Sequence, residues 1–185
     1  MLRANVQRSY AWSKSRCWAL GLVAGVATLA PRTAQAFERQ WHLGLGGGIS
    51  VPSEEYKTAP ALSLHGAYGI SDVFDVRLTA TGSLLHLSPD GGGRNSLSLG
   101  TLGLAYKLDV IEWIPYCGVR AGYYLFGGSP EGELSRQGGS VGGMCGLDYS
   151  FTRAAAVGVE VSDDFLLPRG TVFSALLHVE YRWGF

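Results

Sequence analysis

The stretch Phe173 to Phe185, FSALLHVEYRWGF, constrains this chain more than any other. Its odd positions, Phe173, Ala175, Leu177, Val179, Tyr181, Trp183 and Phe185, are all apolar or aromatic. The even positions carry Ser174, Leu176, His178, Glu180, Arg182 and Gly184. A period of two marks a strand with one dry face and one polar face. At about 3.3 Å per residue these residues extend to roughly 43 Å, and a tilt near 45° projects that onto about 30 Å, the hydrocarbon thickness of a bilayer.

The other end of the chain reads as an export segment. Arg3, Arg8, Lys14 and Arg16 form a basic leader without acidic residues, and Cys17 to Ala30 is an apolar core too short for a comfortable spanning helix. Ala34 and Ala36 supply the small residues a signal peptidase requires, so residues 1–36 are expected to be a cleaved signal peptide and Phe37 the first mature residue. Cys17 opens the apolar core rather than following it, which argues against a lipoprotein anchor. The whole chain has 15 basic and 15 acidic residues. Five of the basic ones (Arg3, Arg8, Lys14, Arg16, Arg32) leave with the leader, so residues 37–185 are acidic overall. A nucleic-acid partner is disfavoured, since such proteins usually concentrate basic charge. The length of that portion suits a single domain.

Between these ends the period of two recurs. Expected strands lie near 41–49, 60–70, 74–84, 96–108, 115–125, 142–149, 154–162 and 173–185, which makes eight. The connections alternate in length: long at 51–59, 85–95, 126–140 and 163–170, short at 71–73, 109–112 and 150–153. Such segregation is the habit of outer-membrane barrels, and an even strand count accompanies it. The fourth segment changes phase, with Leu97 and Leu99 on one parity and Leu102, Leu104, Tyr106 and Leu108 on the other; a bulge near Gly100 and Thr101 would reconcile them. The abundant glycine suits a narrow barrel, where small residues let strands bend.

These features resemble the OmpA/OmpX-like family of eight-stranded outer-membrane β-barrels. The resemblance rests on Gly69-Ile70-Ser71-Asp72-Val73-Phe74 at a hairpin turn, Tyr106-Lys107-Leu108-Asp109-Val110, Pro115-Tyr116, Ala121-Gly122-Tyr123-Tyr124, and the end Tyr181-Arg182-Trp183-Gly184-Phe185. It implies an all-β, antiparallel, up-and-down transmembrane barrel over residues 37–185. It also implies insertion among outer-membrane lipid and lipopolysaccharide, a monomer, and recognition of Tyr181, Trp183 and Phe185 by the barrel-assembly machinery. The peptidoglycan-binding domain that many OmpA proteins append is not expected.

Alternation alone does not say which face points outward. A lipocalin-like soluble barrel is apolar inside, and a membrane barrel is the reverse; the leader, the terminal Phe and the strand length favour the membrane. On that choice Asp75, Arg77, Arg120, Asp148, Glu160, His178, Glu180 and Arg182 point into the lumen. An eight-stranded lumen is just wide enough for side chains to fill, so these charges are expected to pair and plug it. The most local candidates are Glu160 with Arg77 or Arg182, together with Glu180's neighbours across the seventh, eighth and first strands. A gated path for small ions is the competing reading.

Other candidates carry less. Cys117 and Cys145 fall on the lipid-facing parity of adjacent strands; a disulfide is open to them, but two small apolar residues are the favoured expectation. Lipid A deacylases of similar barrel size place a His and a Ser two apart near the outer rim, as His86-Leu87-Ser88 does here. No acid follows at the matching position and Pro89 succeeds the Ser, so no catalysis is expected. The four His show no metal-ligand spacing, and Asp163-Asp164 reads as a solvated loop pair. Trp41, Tyr68, Tyr123, Tyr181 and Trp183 are expected in interfacial girdles. Neither cofactor nor metal is expected, and the role is expected to be non-enzymatic: envelope structure or surface interaction, with a narrow porin-like channel or a lipid A-modifying enzyme as alternatives.

Overall fold

Period-two segments of this kind form strands because each buries one row of side chains and leaves the other to a second environment. The computed structural model describes residues 39–53, 58–86, 94–108, 112–127, 137–168 and 170–184. Eight strands follow in order: β1 (Trp41–Pro52), β2 (Ala59–Gly69), β3 (Phe74–His86), β4 (Arg94–Lys107), β5 (Trp113–Gly127), β6 (Gln137–Thr152), β7 (Ala155–Leu166) and β8 (Gly170–Trp183). Each pairs antiparallel with its sequence neighbours, and β8 returns to β1, with Trp183 opposite Trp41 and Val179 opposite Leu45. Closure leaves no sheet edge, so the backbone groups of every strand have partners on both sides. That is the condition for crossing hydrocarbon with strands.

The parity is inverted relative to a water-soluble barrel. Leu62 is 73% exposed, Leu177 64% and Leu78 63%, whereas Asp75 and Lys107 are fully buried. Burying one large apolar side chain is worth about 1.5–3 kcal/mol, so a wall of them facing water would be heavily unfavourable. Lipid removes that cost.

Aromatic side chains gather at the rim where residues 70–73, 108–112 and 153–154 connect the strands. Ring centroids lie 4.7 Å apart for Trp41–Tyr68, 5.3 Å for Phe74–Tyr106, 4.9 Å for Trp113–Tyr149 and 5.8 Å for Tyr181–Trp183. Tyr123, opposite Gly100 across β4 and β5, lies toward the other rim. Rings of this amphipathic kind suit the headgroup level.

Three expectations change. The β3–β4 register runs from Phe74 opposite Tyr106 to His86 opposite Arg94 without a shift, so there is no bulge at Gly100 and Thr101. Leu97 and Leu99 instead face inward, where they join an apolar cluster. The irregularity that does occur lies between Ser150 and Thr152 on β6. The segment 163–170 is mostly strand rather than a long loop, because β7 continues to Leu166 and β8 begins at Gly170. The alternation of long and short connections therefore fails at the last hairpin. Asp164 is accordingly not a solvated loop residue: it is fully buried on the inner face of β7. The signal segment 1–36 with Ala34 and Ala36, the rim residues Leu87 and Ser88, and the terminal Phe185 lie outside the described residues.

Candidate functional site

Among the described residues, the inner faces of the strands build the candidate site, the lumen. At the loop-side end it is apolar. Ala59, Leu85, Leu97, Leu99, Tyr124, Leu166 and Val172 pack together, with Phe126 against them. The Tyr124 hydroxyl donates to the Leu167 carbonyl at 3.0 Å, so the one polar atom of that ring is satisfied. Below this layer Ser83 donates to Ser50 Oγ at 2.9 Å, and Ser50 and Ser174 share a hydrogen bond of 3.0 Å.

The remainder is a charged network running toward the aromatic rim. Arg120 on β5 donates from Nε to Asp164 Oδ1 at 2.8 Å, from Nη2 to Ser162 at 2.7 Å, and from Nη1 to Glu160 Oε1 at 3.4 Å. Glu160 Oε2 also accepts from Arg77 Nη1 at 2.8 Å and from the Tyr116 hydroxyl at 2.9 Å. The Arg77 guanidinium lies 4.4 Å from the Tyr116 ring centroid, within range of a cation–π contact. One turn of the network further on, Glu180 is contacted by Arg182 Nε at 2.6 Å, His42 Nδ1 at 2.8 Å and His65 Nε2 at 3.1 Å. Asp148 accepts from His178 Nε2 at 2.9 Å and from Arg182 Nη2 at 3.2 Å. Arg182 Nη1 donates to Ser150 at 2.7 Å. Asp75 and Lys107 form a further ion pair.

Removing one partner of a buried pair costs about 3–5 kcal/mol because the other charge stays behind, so these links hold one another in place. Glycines make the room. A Cβ at Gly44 would overlap the His65 ring, one at Gly146 the Tyr116 ring, and one at Gly158 both Asp148 and His178. The chemistry available is strong hydrogen bonding and ion pairing in a closed space. Among the described residues the network holds no nucleophile–base–acid arrangement built on Ser or Cys.

Asp75, Arg77, Arg120, Asp148, Glu160, Glu180 and Arg182 are all buried on the inner face. Arg77 meets Glu160 from β3 to β7, and Arg182 meets both Glu180 and Asp148. His42, His65, Lys107 and Asp164 belong to the same network and were not anticipated. His42 and His65 were within reach of the parity rule, since each alternates with Trp41 and Leu43, or with Leu64 and Gly66. Lys107 was hidden because the apolar Leu97 and Leu99 share its inward parity on β4. Tyr181 and Trp183 stand on the outer face, 59% and 40% exposed. The favoured expectation of two free cysteines is overturned: Cys117 and Cys145 are directly opposite in the β5–β6 register, with Cα atoms 4.1 Å apart, and form a disulfide on the outer wall. Register decides this, because a strand-to-strand bridge needs facing residues on the same side of the sheet.

No protein-family model and no curated protein matches the chain. Solved structures do. The outer membrane protein OprG from Pseudomonas aeruginosa superposes with a TM-score of 0.62 at 15% identity, covering 83% of this chain and 100% of that one. Neisserial surface protein A gives a TM-score of 0.60 at 15% identity, covering 79% and 96%. The outer membrane enzyme PagL gives 0.50 at 12% identity, covering 76% and 98%. Identities this low speak for the fold alone, and the inverted parity and closed strand order agree with it. The chain has the fold of the eight-stranded outer-membrane β-barrels.

Proposed function

We propose that this chain is an integral outer-membrane barrel with a non-enzymatic role, acting through its surface or as envelope structure and not as an open pore. The observation that carries this reading is the filled interior: an apolar layer at one end and paired charges through the rest. In this reading residues 1–36 direct export and are removed, and the aromatic final strand guides assembly into the outer membrane. Surface interaction would then run through the loops expected at 85–95 and 126–140. Planar-bilayer recording of the purified barrel tests the filled lumen. Little steady conductance is expected, and large, stable open-channel currents would refute it. Membrane fractionation with heat-modifiable gel migration tests the location, since a folded membrane barrel resists unheated detergent and runs anomalously. N-terminal sequencing of the fractionated protein should begin at Phe37.

PagL shares the fold and is an enzyme, which keeps one other reading in play. Unaltered lipid A in cells overproducing this chain is the result expected from a non-enzymatic role. A shift in lipid A mass that depends on Ser88 would replace it with the enzymatic one.

A further inference from the structure

Three of the four histidines in the chain meet inside the barrel. His42 comes from β1, His65 from β2 and His178 from β8, and all three are buried. Two glycines bring this about. Gly44 on β1 is flanked in register by His65 on β2 and Glu180 on β8. Gly158 on β7 is flanked by Asp148 on β6 and His178 on β8. In both places the bare backbone lets an imidazole on one side reach the carboxylate on the other, His65 to Glu180 and His178 to Asp148.

The charges at this level do not balance. Among the described residues the buried carboxylates are Asp75, Asp148, Glu160, Asp164 and Glu180, and the buried fixed cations are Arg77, Lys107, Arg120 and Arg182. Asp164 is served by Arg120, Glu160 by Arg77 and Asp75 by Lys107. Asp148 and Glu180 are left to share the direct contacts of Arg182, with Arg77 Nη2 more distant at 3.8 Å from Glu180. Positive charge is short where the imidazoles gather, and a buried charge without a counter-charge is costly.

We propose that His65, His178 and Glu180 bind one divalent transition-metal ion of the zinc class within the lumen. Their ligand atoms already lie within 4.8 Å of one another. Two imidazoles and one carboxylate are a donor set zinc uses in proteins, and imidazole suits zinc, copper and nickel better than magnesium or calcium. Asp148 orients the His178 ring, as carboxylates do for metal-bound histidines. His42, 2.8 Å from Glu180 Oε1, stands behind the carboxylate, and its Nε2 is buried without a hydrogen-bond partner. The apolar layer covers the site on the loop side. The competing way to supply the missing charge is a proton on one imidazole.

The test uses the full chain without a histidine tag, refolded from urea into detergent with and without zinc chloride, then passed over a chelating resin. About one zinc per chain is expected to remain. His86→Ala, at the far end of β3, should retain it, and H65A and H178A should bind at least tenfold more weakly, with heat-modifiable migration reporting that each has folded. Should those variants fail to fold, zinc-edge X-ray absorption on the unsubstituted chain is decisive: imidazole and carboxylate coordination supports the site, and sulfur or oxygen-only coordination overturns it. A folded chain that keeps no zinc overturns it too and leaves the proton as the counter-charge. Metal retained equally by the H65A/H178A double variant has the same force. None of these outcomes bears on conductance, so the proposed function is tested separately.

Discussion

His178 reaches Asp148 across the bare backbone of Gly158, Nε2 to Oδ1 at 2.9 Å, linking β8 to β6 over the strand between them. A methyl group at 158 would occupy the space both side chains use. Gly158→Ala is therefore expected to destabilise the barrel by about 1–3 kcal/mol, the usual cost of overpacking. The control is Gly82→Ala, where a Cβ meets nothing within 4 Å. That change should be neutral or stabilising by up to about 1 kcal/mol, through reduced freedom of the unfolded chain. Urea unfolding of both variants in lipid vesicles checks the contrast.

Arg120 and Asp164 should behave as a unit. Arg120→Ala leaves Asp164 buried without its guanidinium and is expected to cost about 3–5 kcal/mol. Replacing both, with Arg120→Met and Asp164→Leu, removes the orphaned charge and should recover much of that loss. Equilibrium unfolding of the two single variants and the double variant gives the coupling energy. Strict additivity would sink the claim that they act as a pair.

The outward parity can be probed with a charge. Leu78 is 63% exposed in the middle of β3, opposite Leu102 and Gly66. Leu78→Arg is expected to destabilise the membrane-inserted barrel by about 2–4 kcal/mol, as arginine does at the bilayer midplane. In a soluble barrel the same change would be close to neutral. A lipid-reporting spin label at Val179 with a label at Glu180 shielded from lipid would give the same answer by spectroscopy.

Cys117 and Cys145 enclose a separation of 28 residues. By loop-closure entropy a bridge over that distance stabilises by about 3.5 kcal/mol. Alkylation before and after reduction, read by mass, should show both thiols blocked only after reduction. Unfolding under reducing conditions should shift by up to that amount. Protein held in the cytoplasm, where thiols stay reduced, is expected to lack the bond.

How far the chain could be read from its letters depended on how local each feature is. Alternation along Phe173 to Trp183 needs no partner strand, so it placed β8 and its two faces correctly, and the same rule put Arg77, Glu160 and Glu180 inside. It failed where side chains at one end of the barrel depart from the rule. Leu97 and Leu99 are apolar yet inward, because the loop-side lumen is closed by an apolar layer rather than by charges. In isolation that looked like a bulge. Asp164 looked like loop because nothing nearby in sequence announces Arg120 across the lumen.

The sequence by itself determined a period of two, eight segments and a charged parity, all properties of residues close together in the chain. Tertiary structure alone decided that Cys117 faces Cys145, that Arg120 meets Asp164 across the lumen, and that His42, His65 and His178 converge near Glu180. Those outcomes depend on strand register and on the width of the closed barrel. Register arises only when strands pair, and the width only when β8 meets β1, so no single strand contains them.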